Sequence, residues 1–115
     1  MSSIKLPSKQ LNDKVSLGYT LEKRGSCRYF NEETLTLKEV SNILWVAQGI
    51  TDKKNNVRKT VASAGAVYPI EIYISVRAQG VHDLDEGIYW YRPENHNLEK
   101  ISGSDITGEL SDACF

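Results

Sequence analysis

The chain has 115 residues, of which 40% are hydrophobic and 25% charged, and the apolar residues fall in periodic runs typical of one globular domain. The net charge of −1 shows no basic excess, which disfavours a nucleic-acid partner. No apolar run reaches the ~20 residues that span a bilayer, and the first residues lack the apolar stretch of a signal peptide. The two distant cysteines form no disulfide framework. The sequence therefore predicts a soluble, cytoplasmic protein without membrane partners.

A polar segment opens the chain. Residues 1–15 are expected to be extended, and the domain itself is expected over residues 16–115. Ser16 can cap a short helix over residues 17–24, and Gly25, just beyond its end, provides the stop.

The strongest helix signal follows at residues 37–48. Thr36 and Glu39 form a capping box, because each side chain can bond the backbone N–H of the other residue, and Gly49 ends the helix. Apolar residues recur at helical spacing and predict one buried face that packs on a sheet. The members of this face are Leu37, Val40, Ile43, Leu44 and Ala47.

Three short strands occupy the second half of the chain. After a polar loop with its tip at residues 53–56, strands are predicted at 71–76, 87–92 and 98–101 from their alternating and β-branched residues.

Asp105 is a candidate N-cap for a last helix whose apolar stripe begins with Leu110 and Ala113. This stripe stops about two turns after its cap, so the domain is expected to continue beyond it. The elements predict an α+β fold with a small antiparallel sheet and the start of a further helix.

Familiar catalytic motifs are missing from the sequence. It has no G-x-S-x-G elbow, no Walker sequence and no G-x-G-x-x-G run. His82 and His96 lie in predicted loops without partners at metal-ligand spacing, so no metal site is expected. No catalytic acid or base can be assigned.

One polar cluster follows the first helix, at Arg24-Gly25-Ser26-Cys27-Arg28. Two guanidinium groups and a hydroxyl can donate several charge-assisted hydrogen bonds to one phosphate, and Gly25 lets the backbone approach a ligand closely. The alternative is a solvated cationic helix terminus without function.

A second cluster lies between the polar loop and the first predicted strand of the sheet, at Ser63-Ala64-Gly65-Ala66-Val67-Tyr68-Pro69. Its small residues would let a flat ligand lie against the main chain, and Ser63 could hydrogen-bond the rim of a heterocycle. The alternative is a tight connection whose alanines only pack.

The order of these segments resembles the opening half of the nitroreductase family, especially its SagB-type branch, over about residues 16–115. The most specific part is the Ser63–Pro69 run, and the other matching segments are Arg24-x-Ser26-x-Arg28-x-Phe30, 43–49, Arg58, Ile70–Tyr73, 87–91 and 95–99. Ala62 and Gly25 depart from the family, which often has proline and arginine at these positions.

The resemblance implies a homodimer that binds FMN at its interface. It places Arg24, Ser26 and Arg28 at the flavin phosphate and ribityl chain, with Gly25 beside them. It places Ser63, Ala64 and Gly65 against the isoalloxazine, commonly from the other subunit. Tyr68 and Trp45 are interpreted as packing residues.

The implied activity is that of an FMN-dependent oxidoreductase that moves hydride or electrons between flavin and a small unsaturated or azoline-type substrate. The second half of the family's domain, which supplies further flavin contacts and the catalytic residues of azoline-oxidising members, has no counterpart in these residues. The alternative is therefore a non-catalytic remnant or dimerisation module without stable flavin.

Overall fold

The computed structural model describes residues 2–52, 54–55 and 58–114, so the predicted loop tip at 53–56 lies partly outside it. It confirms an α+β fold with three helices and a four-stranded antiparallel sheet. The elements in chain order are β1 (Ser3–Lys5), α1 (Leu17–Lys23), α2 (Leu37–Gln48), a 3-10 turn (Ala64–Ala66), β2 (Tyr73–Val76), β3 (Gly87–Arg92), β4 (Asn97–Ser102) and α3 (Thr107–Cys114).

The sheet has the strand order β1-β4-β3-β2, and each neighbouring pair is antiparallel. The three predicted strands are therefore present, although β2 begins at Tyr73 rather than at residue 71. The first strand was not predicted: residues 1–15 were expected to be only an extended polar segment, but β1 pairs with β4 and Leu6 is buried in the core. The strand β1 has only three residues, which are too few to show the two-residue alternation of a strand.

Helix α2 has the predicted bounds because both of its ends are specified locally. The Thr36 hydroxyl accepts a hydrogen bond from the Glu39 N–H at 3.1 Å, and the Glu39 carboxylate accepts one from the Thr36 N–H at 3.0 Å. Gly49 caps the other end, where its N–H donates to the carbonyl of Trp45. The capping box thus satisfies backbone donors that a helix start otherwise leaves free.

The buried face of α2 differs from the predicted one. Val40 and Leu44 are buried and Leu37 packs partly against the core, but Ile43 is 59% exposed and Ala47 is exposed as well. The physical reason is that the helix turns a polar edge inward instead. Among the described residues this edge consists of Ser41 and Gln48, whose side chains donate to the backbone carbonyls of Pro7 and Ile70.

The core lies between α2 and one face of the sheet. Alternate residues of β3 point inward, so that Tyr89 and Tyr91 are each 1% exposed, and Leu98 of β4 is fully buried. Ile72, Ile74 and Val76 contribute from one face, as the alternation predicted. Hydrophobic burial on this single face is the main source of stability in the described fold.

The other two helices bury nothing. No residue of α1 or α3 is buried, and Leu17 and Leu21 of α1 are 74% and 63% exposed. The Asp105 side chain accepts hydrogen bonds from Thr107 as α3 begins, and Leu110 of the predicted stripe is exposed. The radius of gyration is 15.5 Å, above the ~13 Å expected for a compact domain of this length. Within the described ranges, no helix has the length and apolar character needed to cross a bilayer.

Candidate functional site

The first predicted cluster lies in exposed backbone directly after α1. Arg24 ends the helix by turning to extended geometry (φ −61°, ψ 128°) while its N–H donates to the Thr20 carbonyl at 2.9 Å. The helix ends at Lys23, one residue before the predicted end, and Gly25 follows Arg24 without a left-handed backbone. A side chain at Gly25 would meet nothing within 4 Å, so the main chain there is open to an approaching group.

The charges of this cluster are not neutralised locally. In the part of the chain that the structure describes, no carboxylate lies within 4.0 Å of Arg24 or Arg28, whereas Arg92 pairs with Glu94 and Glu99. Ser26 between the two arginines is exposed as well. Two unpaired guanidinium groups and a hydroxyl on one extended segment form a favourable environment for a phosphate dianion.

The second cluster adopts an unusual backbone. Gly65, Ala66 and Tyr68 have φ angles of 63°, 54° and 46°, which lie in the left-handed region. Glycine enters this region freely, but for alanine and tyrosine it costs on the order of 1 kcal/mol or more. Three such residues within four positions hold Ala64 and Gly65 on an exposed bulge.

Side-chain hydrogen bonds hold this bulge in place. The Ser63 hydroxyl accepts from the Tyr68 N–H at 2.8 Å, and the Tyr68 hydroxyl accepts from the Lys59 N–H at 3.1 Å. The hydrogen of the Ser63 hydroxyl finds no acceptor among the described residues, so it is free to be donated to a ligand. Tyr68 acts as a support for the loop, in agreement with its interpretation as a packing residue, and Trp45 is half-buried beneath the Lys9 ammonium group.

The structure does not join the two clusters. Residues 24–28 form one segment and residues 63–65 another, and across the described ranges no hydrogen bond or ion pair connects them. Residues 24–28, 64 and 65 are exposed, and Ser63 is half-buried.

A buried polar network was missed by the sequence reasoning. His96 lies with Nε2 2.7 Å from the Ser41 hydroxyl and Nδ1 2.8 Å from the Tyr91 hydroxyl. Burial raises the pKa of Tyr91 to about 12 and lowers the pKa of His96. Ser41 is completely buried and cannot meet a substrate, so this network is structural rather than nucleophilic. The one usable signal was that Tyr91 sits at an inward position of β3, where its hydroxyl needs a partner.

A metal centre finds no support in the geometry. Within residues 2–52, 54–55 and 58–114, no three His, Cys, Asp or Glu side chains come together as a group of possible ligands.

No family model matches the chain. A curated protein of Methanocaldococcus jannaschii that is named as a nitroreductase is 42% identical over 99 residues, which cover 86% of this chain and 48% of that protein. The indigoidine synthase of Streptomyces lavendulae is 35% identical over 74 residues, or 64% of this chain and 6% of the synthase.

Two crystal structures described as nitroreductases have the same fold. The one from Ralstonia eutropha has a TM-score of 0.76 and 31% identity, covering 90% of this chain and 45% of its own. The one from Anabaena variabilis has a TM-score of 0.73 and 26% identity, covering 96% and 23% respectively.

The chain thus spans about half the length of the curated nitroreductase that it matches. The sequence comparison and the structure comparison both match proteins named as nitroreductases. They support the nitroreductase family for this chain, and its fold is nitroreductase-like.

Proposed function

We propose that the chain contributes to an FMN-dependent oxidoreductase of the nitroreductase type. The observation that carries this proposal is the exposed segment after α1, where Arg24 and Arg28 lack acidic partners among the described residues. Two guanidinium groups on one exposed segment can both donate charged hydrogen bonds to one phosphate, whereas an exposed ion pair on this surface would contribute little. The nitroreductase relatives support the same class of activity.

The residues present fit the flavin mononucleotide in two places. Arg24 and Arg28 would hold its phosphate, with Ser26 as a further donor and Gly25 allowing close backbone approach. The bulge at residues 63–65 would lie against the ring system, where the free Ser63 hydrogen can be donated. The bound flavin supplies the hydride or electron transfer, and the protein supplies position and electrostatics.

We further propose that the flavin sits between two copies of the chain. The two clusters are unconnected within one chain, and a second copy could bring the bulge of one subunit to the arginine segment of the other. The exposed apolar residues around α1, among them Leu17, Leu21 and Phe30, would then gain cover. A symmetric dimer is the commonest way in which a soluble chain covers such a patch.

The chain on its own is therefore expected to self-associate. Because α1 and α3 bury no residue and large side chains such as Tyr29 (93% exposed) and Phe30 (86% exposed) face solvent, association removes apolar area from water. Light scattering or analytical ultracentrifugation over a range of concentrations measures this. A species that stays monomeric throughout would contradict the dimer proposal.

The substrate class is proposed from the resemblance alone. A SagB-type member would oxidise peptide azolines, while other branches reduce small unsaturated compounds such as nitroaromatics and quinones. A cytoplasmic location fits either chemistry.

The flavin proposal is tested by comparing FMN with riboflavin, which has the same ring system without the phosphate. Arg24→Ala and Arg28→Ala should each weaken FMN binding by roughly 10- to 100-fold, since each removes a charged hydrogen bond. Riboflavin affinity should stay nearly constant in the same variants. Flavin fluorescence titration measures both affinities.

Arg77→Ala is the matched control, because it removes one exposed positive charge at a distance in sequence from both clusters. It should leave FMN affinity within about twofold, as expected for a screened long-range charge. Arg→Lys replacements at positions 24 and 28 should restore only part of the loss, because ammonium lacks the planar fork. Equal FMN affinity with both arginines removed would place the phosphate site elsewhere.

A second candidate is a dimerisation or accessory module that binds no flavin. It is favoured by the observation that two of the chain's helices, α1 and α3, bury nothing. The same titration separates the candidates, because this module would self-associate without binding either FMN or riboflavin.

A further inference from the structure

The segment formed by β1 and the residues that follow it meets the domain at one histidine, in addition to the ladder between β1 and β4. We call residues 3–10 the arm. Leu6 is 3% exposed and its N–H donates to the His96 carbonyl at 3.2 Å, while the Pro7 carbonyl accepts from the Ser41 hydroxyl. The His96 ring lies between Ser41 of α2 and Tyr91 of β3, so the arm, the helix and the sheet meet at this side chain.

The hydrogen-bond partners fix where the protons lie. The Pro7 carbonyl can only accept, so the Ser41 hydroxyl gives its single hydrogen to it. The Ser41 oxygen is then left to accept from His96, which puts a hydrogen on Nε2, 2.7 Å from that oxygen and 3.1 Å from the Pro7 carbonyl. In a neutral imidazole the other nitrogen is an acceptor, and the Tyr91 hydroxyl donates to Nδ1 at 2.8 Å. Every member of the network is satisfied when His96 is neutral.

A second proton on His96 disrupts this arrangement. Nδ1 would then carry a hydrogen that points at the Tyr91 hydroxyl, which would have to turn its own hydrogen away. Tyr91 is 1% exposed, and its hydroxyl has no other partner in the described part of the chain. A buried donor without an acceptor is unfavourable, so the protonated ring is expected to move out of the network.

We propose that neutral His96 holds the arm on the domain and that uptake of a proton by this ring loosens the arm. The inference is independent of flavin binding, since none of the predicted cofactor residues belongs to the network. The arm would thus respond to mild acid through the side chain of His96.

Two charged side chains line the cavity beside His96. The arm places Lys9 there, with its ammonium group 4.4 Å from the centre of the Trp45 ring. The turn places Glu94 on the same cavity, but that carboxylate is 3.5 Å from the Arg92 guanidinium. β3 contributes Tyr91, which stays protonated because burial raises its pKa to about 12, and α2 contributes Ser41 and Trp45, which do not ionise.

The direction of the pH dependence follows from these facts. Burial lowers the pKa of folded His96 below its ordinary value of ~6.5, although the Pro7 carbonyl acts in the opposite sense. The network's contribution to stability is therefore fully present above pH ~6.5. It is lost as the pH falls from there towards the folded pKa, because the released ring binds a proton more readily than the docked ring.

Hydrogen exchange of single backbone amides tests the proposal on the intact chain. The amides of Leu6 and Gln10, which donate to His96 and to Asn42, should exchange roughly tenfold faster at about pH 5 than at about pH 7.5, after correction for intrinsic rates. The amide of Gly49, which donates to Trp45, is the internal reference and should change little. Equal behaviour of arm and reference amides would overturn the proposal.

Two matched variants identify the responsible group. His96→Asn should remove the pH dependence of amide exchange in the arm. Asparagine suits the left-handed backbone at this position, where φ is 49°. His82→Asn replaces an exposed histidine and should leave the dependence intact. If His82→Asn, rather than His96→Asn, removes the pH dependence of amide exchange in the arm, the response belongs to His82 and the proposal is overturned.

A direct titration covers the case in which a variant does not fold. NMR of the His96 ring in the unaltered protein should show a pKa below the ordinary value, and arm resonances should follow the same curve. In Tyr91→Phe, which removes the hydroxyl that opposes the proton, the His96 pKa should rise. A His96 that titrates at or above its ordinary pKa in the unaltered chain would refute the mechanism.

Discussion

Leu44→Ala should lower the free energy of unfolding by about 2–5 kcal/mol, the range for a buried leucine replaced by alanine. Leu44 is 3% exposed and belongs to the cluster formed by α2 and the inner face of the sheet. Removing its side chain takes apolar contacts out of this cluster and leaves a void that the surrounding structure fills only in part. Urea unfolding at a fixed protein concentration measures the loss, and fixed concentration matters if the chain associates.

Ile43→Ala is the matched control, because it lies one residue earlier on the same helix and is 59% exposed. Its cost should stay near 0.5 kcal/mol, as for most surface substitutions. The sequence alone predicts similar losses for both residues, whereas the structure predicts a large difference. A loss at Ile43 as large as that at Leu44 would show that α2 presents the face that the sequence predicted.

Gly87→Ala should destabilise the fold by about 3 kcal/mol, from steric overlap and backbone strain together. Gly87 opens β3 with a φ of 149°, where residues with a side chain are disfavoured, and a Cβ atom there would overlap the carbonyl oxygen of Ser102 in β4. The overlap is with backbone and cannot be relieved by a rotamer change. The strands would have to separate next to the bulge between Ile88 and Tyr89.

Gly108→Ala distinguishes this effect from a general glycine effect. Gly108 lies in α3, where an added Cβ meets nothing within 4 Å, so alanine should be neutral or stabilise by about 0.5–1 kcal/mol. Thermal unfolding of both variants gives the comparison. A Gly87 variant as stable as the unaltered chain would mean that β3 and β4 are not paired in this register.

Elements with local signals were predictable from the sequence. The bounds of α2 followed from the Thr36 capping box and Gly49, and the strand β3 was predicted with its observed bounds, 87–92. These features depend on neighbours within a few positions, so they can be identified without knowledge of the rest of the chain. The α+β class followed from their order along the chain.

Features set by distant partners were not predictable. Helical periodicity shows that α2 has an apolar stripe, but it cannot show that Ser41 and Gln48 turn inward, because their partners are the carbonyls of Pro7 and Ile70. His96 was placed in a loop without a role because its partners lie 5 and 55 residues away in sequence. Polar contacts between separate segments leave no periodic trace.

The residues of the candidate site were predictable from the sequence, but their backbone conformation was not. The contiguous Arg24–Arg28 and Ser63–Gly65 segments could be selected from residue chemistry and from the resemblance, and their role towards flavin stays a prediction. The left-handed backbone at Ala66 and Tyr68 could not be foreseen, because alanine and tyrosine rarely adopt it. It depends on the hydrogen bonds from Tyr68 to Ser63 and from Lys59 to Tyr68.

The place of β1 at the edge of the sheet has a consequence for the order of assembly. The strand pairs with β4, and the side chains of Ser3 and Asn97, 94 residues apart, are hydrogen-bonded at 2.7 Å. During synthesis β1 has no partner until residues 97–102 have followed it. Closing a loop of that length is entropically costly and yields only a three-residue ladder. The arm is therefore among the last parts of the described fold to reach its final position, although it is made well before the strand that it pairs with.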